Sequence, residues 1–351
     1  MLTPTSPQPS SRCPQKPIIL NGHERAITAV VYNHDGDLLF TSAKDDKPTV
    51  WFSENGERLG TFHGHNGAVW CLGVTRDSRI LATGSADTTC MLWDVYTGEK
   101  LVTLDHHGPV RAVNFDLGDN RLVTVSDPFM AHPAEIRVYN LSKNADGTLN
   151  AALQSQRPSV VIGDQPKMTG GYWMPLNKTL LVTTDEGSFL IFDPETGEKL
   201  DERKAHDKGI GPLTFSKDMT MFITGSRDNW AKLWDTRTLE ELKAFETAVP
   251  VNGAVISPIK EHVMIGGGQD AMSVTTTSNK SGKFETRFFH MILQEEFGRV
   301  AGHFGPVNCL AIHPNGRSYA SGAEDGYIRV HDFDDDYFKL HPVQEGHEAT
   351  D

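Results

Sequence analysis

Four histidines of this 351-residue chain are each followed by the same three kinds of residue at the same distances. His23, His65, His206 and His303 stand 18 residues before a Ser or Thr, 22 before an Asp and 28 before a ring. The sets are His23–Thr41–Asp45–Trp51, His65–Thr83–Asp87–Trp93, His206–Thr224–Asp228–Trp234 and His303–Ser321–Asp325–His331, the last with imidazole in place of indole. A recurrence of this kind governs every other reading, because each copy is then one supersecondary unit of a repeat architecture. His23, His65 and His107 lie 42 residues apart, as do Asp164, His206 and Ala248. The steps of 57 from His107 to Asp164 and 55 from Ala248 to His303 exceed that period by fifteen and thirteen residues, marking two insertions. Seven anchors result, at 23, 65, 107, 164, 206, 248 and 303.

Within one period the chain reads as four short strands. In the second unit these are AVWCLGV (68–74), RILATGS (79–85), TCMLWDV (89–95) and KLVTL (100–104), separated by the turn clusters TRDS, SADT and YTGE. Apolar or alternating runs at roughly ten-residue spacing in a period of 40–45 are the mark of a propeller blade. Helical periodicity is nearly absent. The expected fold is all-β, a seven-bladed β-propeller of the WD40 type. KPIIL (16–20) has the place of a fourth strand with no first three before it, and the last unit stops at its third strand, YIRVHDF (327–333). The N-terminal strand is therefore expected to complete the last blade, which closes the ring and removes two sheet edges.

His, Ser/Thr and Asp together resemble a hydrolase triad. A triad needs one exposed nucleophile beside an oxyanion hole, whereas this set recurs four times with a Trp as fourth member in three copies. A hydrogen-bond chain accounts for it better: Asp fixes the imidazole, the imidazole bonds the hydroxyl, and the hydroxyl meets the indole N–H. Other fragments carry no chemistry of their own. IGGGQD (265–270) opens no helix and lacks a Lys-Ser/Thr pair, so it reads as a strand turn with close backbone approach rather than a phosphate cradle. His106 and His107 would point to opposite faces of a strand and read as a variant anchor, not a metal site. The acidic run DFDDDY (332–337) reads as a solvated terminus. No catalytic, cofactor-binding or metal residues are expected, and the chain reads as a non-enzyme.

Composition limits the partners. A formal net charge of −13 disfavours sequence-independent binding to phosphate backbones and gives no direct nucleic-acid partner. No run of 18 apolar residues is present, so no membrane partner is expected. The first residues lack the apolar stretch of a secretory signal, and Cys13, Cys71, Cys90 and Cys309 show no CxxC spacing; a reducing cytoplasm is the expected location. Residues 1–15 are expected as a disordered Pro/Ser-rich tail, 16–340 as the propeller and 341–351 as a flexible tail.

The less repetitive stretches carry a resemblance. YNHDGDLLFTSAKD (32–45), NGERLGTFHGHNGAVWC (55–71), SADTTCMLWD (85–94) and KDMTMFITGSRDNWAKLWD (217–235) are similar to the subunit I family of eukaryotic translation initiation factor three. So are GGGQDAMSVTTTS (266–278), GKFETRFFH (282–290), EEFGRVAGHFGPVN (295–308) and SYASGAEDGYIRVHDF (318–333). The resemblance covers about residues 16–340 and is weakest across 127–175. It implies a non-catalytic scaffold of that factor, which acts on the small ribosomal subunit. It further implies a propeller that docks a C-terminal helix of the factor's B subunit against blades five and six and also binds its G subunit. The positions matching the family's contacts are Asp218, Asp235 and Gln269. Read from the residues alone, Asp218 and Asp235 are either ordinary turn aspartates or exposed carboxylates able to pair with Arg or Lys. Phe284, Phe288 and Phe289, in the insertion of blade six, are expected to pack a long outer strand pair. The alternative function is another WD40 interaction module, such as a ubiquitin-ligase adaptor or signalling scaffold.

Overall fold

The computed structural model describes residues 16–141, 157–268 and 284–339. They form seven four-stranded antiparallel sheets, the blades of a propeller. Blades one to six span 27–61, 69–105, 110–165, 168–204, 210–246 and 251–301, and each pairs its strands in simple sequence order. Blade seven takes three strands from 307–332 and its fourth from Ile18–Leu20. That strand pairs antiparallel with Ile328–Asp332, Ile18 opposite Val330 and Leu20 opposite Ile328. Ring closure by the N-terminal strand is thus as the sequence implies.

The first strand of every blade explains how the ring is held. Counting from the anchor, position four is apolar and turns into the core: Ile27, Val69, Val110, Met168, Ile210, Val251 and Val307 are all buried. Position five, on the opposite side of the pleat, faces the central channel, and these residues include Trp70, Arg111, Asn252 and Asn308. Several fasten one blade to the next. Thr28 Oγ1 donates to the Val69 carbonyl (2.6 Å), Asn252 Nδ2 to that of Val307 (3.2 Å) and Asn308 Nδ2 to that of Ile27 (3.0 Å).

These buried positions correct the phase of two blades. Val110 and Val251 count back to His106 and Thr247 as anchors, one residue before His107 and Ala248. His106 donates or accepts at Thr124 Oγ1 (2.8 Å), the 18-residue partner, while His107 stacks on His132 with ring centroids 4.4 Å apart. Thr247 is buried, its hydroxyl donating to backbone carbonyls of Asn229 and Val249. Neither blade kept the complete set of four residues, so nothing in the sequence marked the one-residue slip.

Apolar clusters fill the junctions between neighbouring blades. The junction of blades one and two, for instance, holds Phe40, Val50, Phe62, Val69, Leu72, Leu81, Met91 and Trp93. Glycine at position nineteen lets adjacent sheets approach: a Cβ on Gly84 would lie 2.7 Å from Val110, on Gly266 2.7 Å from Val307, and on Gly322 2.6 Å from Ile27. Contacts that short force a shift of the neighbouring blade, because interiors are packed like crystals. The same crowding is the strand-level reason for IGGGQD, whose Ile265–Gly267 portion ends the strand His262–Gly267; Gln269 and Asp270 lie outside the described residues.

The acidic run at the end of the ring departs from the expected solvated terminus. Asp335–Lys339 is a short helix whose aromatic residues dock on blades six and seven. Tyr337 is buried, stacks on Phe333 at 4.1 Å and places its hydroxyl 3.0 Å from His262 Nδ1. Lys260 Nζ donates to the Phe338 carbonyl (2.8 Å). The aspartates read as a charge run because the interleaved Phe and Tyr, not the acids, decide the packing. Phe288 and Phe289 are likewise buried, Phe289 meeting Phe245 edge-on at 5.7 Å and Phe288 meeting Tyr319 at 5.6 Å, while Phe284 is half-buried.

Candidate functional site

Each of the four sequence-predicted sets is assembled within one blade. In blade two, His65 Nδ1 lies 2.9 Å from Asp87 Oδ2 and Nε2 lies 2.6 Å from Thr83 Oγ1; Trp93 Nε1 donates to the same hydroxyl (2.8 Å). The consistent proton order runs from indole N–H to hydroxyl oxygen, from hydroxyl to Nε2, and from Nδ1–H to carboxylate. Blade one repeats it through His23, Asp45 (2.9 Å), Thr41 (2.8 Å) and Trp51 (2.9 Å). Blade five does so through His206, Asp228 (2.9 Å), Thr224 (2.9 Å) and Trp234 (2.9 Å). Glycine precedes His in the first two because the indole lies across it: a Cβ on Gly22 or Gly64 would be 2.9 Å from the Trp51 or Trp93 ring.

Blade seven is modified. His303 bonds Asp325 (3.1 Å) and Ser321 Oγ (2.8 Å), but His331 leaves the chain and stacks on Tyr319 at 5.0 Å. Blade four gives up the polar set: Val182 and Phe192 stand where the others have hydroxyl and indole, both buried in an apolar cluster, and its anchor Asp164 is exposed.

The electrostatics match bracing. Burial pushes the Asp87 carboxyl up, but His65, the Asn66 N–H and the Thr89 hydroxyl outweigh it and hold it well below the usual carboxylate range. Asp45, Asp228 and Asp325 are held low in the same way. Burial lowers His106 to about 4, with the Arg137 charge adding to it, so this imidazole stays neutral. Each carboxylate is spent on its own blade, receiving the His N–H and one or two backbone N–H groups of the loop. A nucleophile's hydroxyl would have to be open to substrate; Thr41, Thr83 and Thr224 are fully buried. Burial also drives the Cys71 and Cys309 thiols up to about 12, leaving little thiolate. Among the described residues no group of three or more His, Cys, Asp or Glu could hold a metal ion, and no helix is long and apolar enough to cross a membrane.

The residues proposed for partner contact lie elsewhere. Asp218 is in the turn between the first two strands of blade five, and Asp235 at the end of its third. In an antiparallel meander these turns share one end, opposite the end carrying the anchors. Asp218 is exposed; the Ser216 hydroxyl (2.6 Å) and Thr220 hydroxyl (2.8 Å) donate to its two oxygens and hold its carboxyl below the usual range. Asp235 Oδ1 accepts the N–H groups of Arg237 and Thr238, both at 2.8 Å, and the carboxyl is held low chiefly by the latter. Both are turn aspartates and surface charges at once; the alternatives read from the sequence are not exclusive. Gln269 lies outside the described residues. At the same end of blade six, Ile259, Ile292 and Leu293 expose 48%, 52% and 42% of their surface. The sequence reading missed this apolar rim, because it is split between two turns 33 residues apart and no periodic run announces it.

A family model described as EIF3I matches residues 15–342, a span that takes in the ring-closing strand and all seven blades. The chain belongs to the EIF3I family. It is 49% identical over 325 residues to eukaryotic translation initiation factor 3 subunit I of Bombyx mori, covering 92% of this chain and 97% of that one. The protein of the same name from Drosophila melanogaster is 48% identical over 326 residues (92% and 98%), and that of Nematostella vectensis 46% over 322 (92% and 98%). For an EIF3I chain, the internally spent tetrads and the exposed rim of blades five and six divide the molecule into a brace and a surface.

Proposed function

We propose that this chain is a non-catalytic scaffold subunit of translation initiation factor 3. In this reading it docks the C-terminal helix of the factor's B subunit on the rim of blades five and six, binds the G subunit, and through them serves initiation complexes on the small ribosomal subunit in the cytoplasm. Asp218, Asp235 and Gln269 are the proposed contacts. The observation that supports this most is the pairing of two ionised carboxylates on blade five with the exposed Ile259, Ile292 and Leu293 on blade six. Such a surface suits an amphipathic helix with basic residues beside its apolar stripe. The turn hydrogen bonds fix both carboxylates before a partner arrives, so little side-chain entropy is lost on binding.

The test is affinity purification of the tagged chain, followed by titration of a fluorescein-labelled C-terminal segment of the B subunit. The B and G subunits are expected among the co-purifying proteins. Exchanging both Asp218 and Asp235 for Lys should weaken the titration roughly tenfold, two surface charge pairs at up to about 1 kcal/mol each. Absence of B and G from the purified material, or an unchanged affinity in the folded double variant, overturns the reading.

A further inference from the structure

The end of the ring opposite that rim opens into a cavity of about 570 Å³ at the mouth of the central channel. Its lining contradicts the charge of the molecule. The chain carries 46 acidic against 33 basic residues, yet Lys44, Arg111, Lys167, Lys208 and Arg227 line the mouth against two carboxylates, Asp185 and Glu324. The two acids do not cancel the five bases. Glu324 takes Lys44 at 2.9 Å, and Asp185 is shared at long range between Lys167 (3.5 Å) and Arg227 (3.7 Å). Arg111 pairs with Asp127 (2.6 Å) behind the lining and lies 4.3 Å from the centre of the Trp70 ring. Lys208 is exposed, with no carboxylate in ion-pairing range among the described residues. Excess positive charge therefore collects on the arc of blades four and five, where three cations face one carboxylate.

We propose that this mouth binds an acidic, extended peptide segment of a partner protein. The cavity has the size of ordinary ligand sites, and its low-dielectric walls focus the field of the five cations on whatever enters. Side-chain carboxylates meet Lys208, Arg227 and Lys167. The half-buried Trp70 ring, held by Arg111, supplies an apolar wall for an intervening side chain. The rest of the surface, at an overall −13, repels an acidic chain and so confines it to the mouth. A peptide is favoured over a nucleic acid because a long phosphate backbone would have to cross that same negative surface beyond the mouth, whereas a short acidic stretch need not. This surface is separate from the rim proposed for the B-subunit helix.

The experiment uses fluorescence polarisation of a labelled (Asp-Glu)5 peptide with the full chain at 50 mM salt. Micromolar binding is expected, weakening at least tenfold in a variant carrying both Lys208→Glu and Arg227→Glu. Lys217→Glu, an exposed charge at the opposite end, should leave it within twofold, and all variants should take up the B-subunit helix segment as the parent does. No binding by the parent, or equal loss in Lys217→Glu, overturns the proposal. So does a labelled twelve-nucleotide oligouridylate that binds more tightly than the peptide and loses affinity in the same double variant, because the mouth is then a nucleic-acid site. Unchanged affinity for the helix segment alongside any of these results leaves the rim assignment standing.

Discussion

Asp87→Ala is the sharpest probe of the bracing chains. The parent carboxylate accepts the His65 Nδ1–H (2.9 Å), the N–H groups of Asn66 (2.9 Å) and Thr89 (3.0 Å), and the Thr89 hydroxyl (2.7 Å). Two of these, the loop N–H groups, are close enough to solvent to recover water. The His65 N–H is not, since the residue is only 5% exposed. Orphaning it costs about 2–3 kcal/mol, the range for a buried polar group stripped of a charged partner. At roughly 2 cal/mol/K of unfolding entropy per residue, the 351-residue chain has about 0.7 kcal/mol/K, so Tm should fall by only about 3–4 °C. Equilibrium urea unfolding is the better assay, read as a lowered midpoint at unchanged slope. A cycle with His65→Ala should show coupling of about 1 kcal/mol or more, because the carboxylate has little to brace once the ring is gone. Additive effects, or a loss below about 0.5 kcal/mol for Asp87→Ala, would refute the chain as a unit.

Three further outcomes follow from the geometry. His106, His262 and His331 are each driven to about 4 by burial, whereas an unfolded histidine titrates near 6.5. Between those values the unfolded chain binds more protons, so stability is full above pH 6.5 and falls as pH drops toward 4; Asp45, Asp87, Asp228 and Asp325 add their loss only below the unfolded carboxylate value of about 4. Proton uptake on unfolding at pH 5 checks this, and no uptake contradicts it. Gly84→Ala should cost about 1–3 kcal/mol by overpacking against Val110 and Cys71, measured by urea titration, while Gly98→Ala, whose Cβ meets nothing, should cost only its turn strain. Leu20→Asp places a charge where the side chain is 2% exposed and should open blade seven, seen as faster amide exchange in Ile328–Asp332 ahead of the other blades.

What the sequence made legible was whatever repeats. The tetrad spacing carried the blade count, and the orphan strand KPIIL carried the closure. The phase of blades three and six was not legible, since a one-residue shift is invisible where the Asp and Trp partners are missing. It becomes visible only in which valine is buried, Val110 or Val251, and burial belongs to the neighbouring blade as much as to the residue. The same holds for the cationic mouth. Lys44, Arg111, Lys167, Lys208 and Arg227 come from four blades and never form a run, so the −13 of the whole chain conceals them. Asp218 and Asp235 were readable as turn residues by their neighbours Ser216, Thr220 and Thr238, and their proposed role as contacts came from resemblance rather than spacing.

The closing strand has a consequence for biosynthesis. Ile18 and its partner Val330 are 312 residues apart. At roughly 5–20 residues per second, the first strand to emerge from the ribosome waits on the order of 15–60 s for the last to be made. Blades one to six can each pair their strands as they appear, yet the apolar face of Ile18 and Leu20 has no sheet to join until the chain is nearly finished. A nascent EIF3I chain is therefore an open spiral with two uncapped ends for most of its synthesis. Any stall or truncation before 328 leaves a product whose six formed blades cannot close, and whose exposed strand edges invite pairing with other chains.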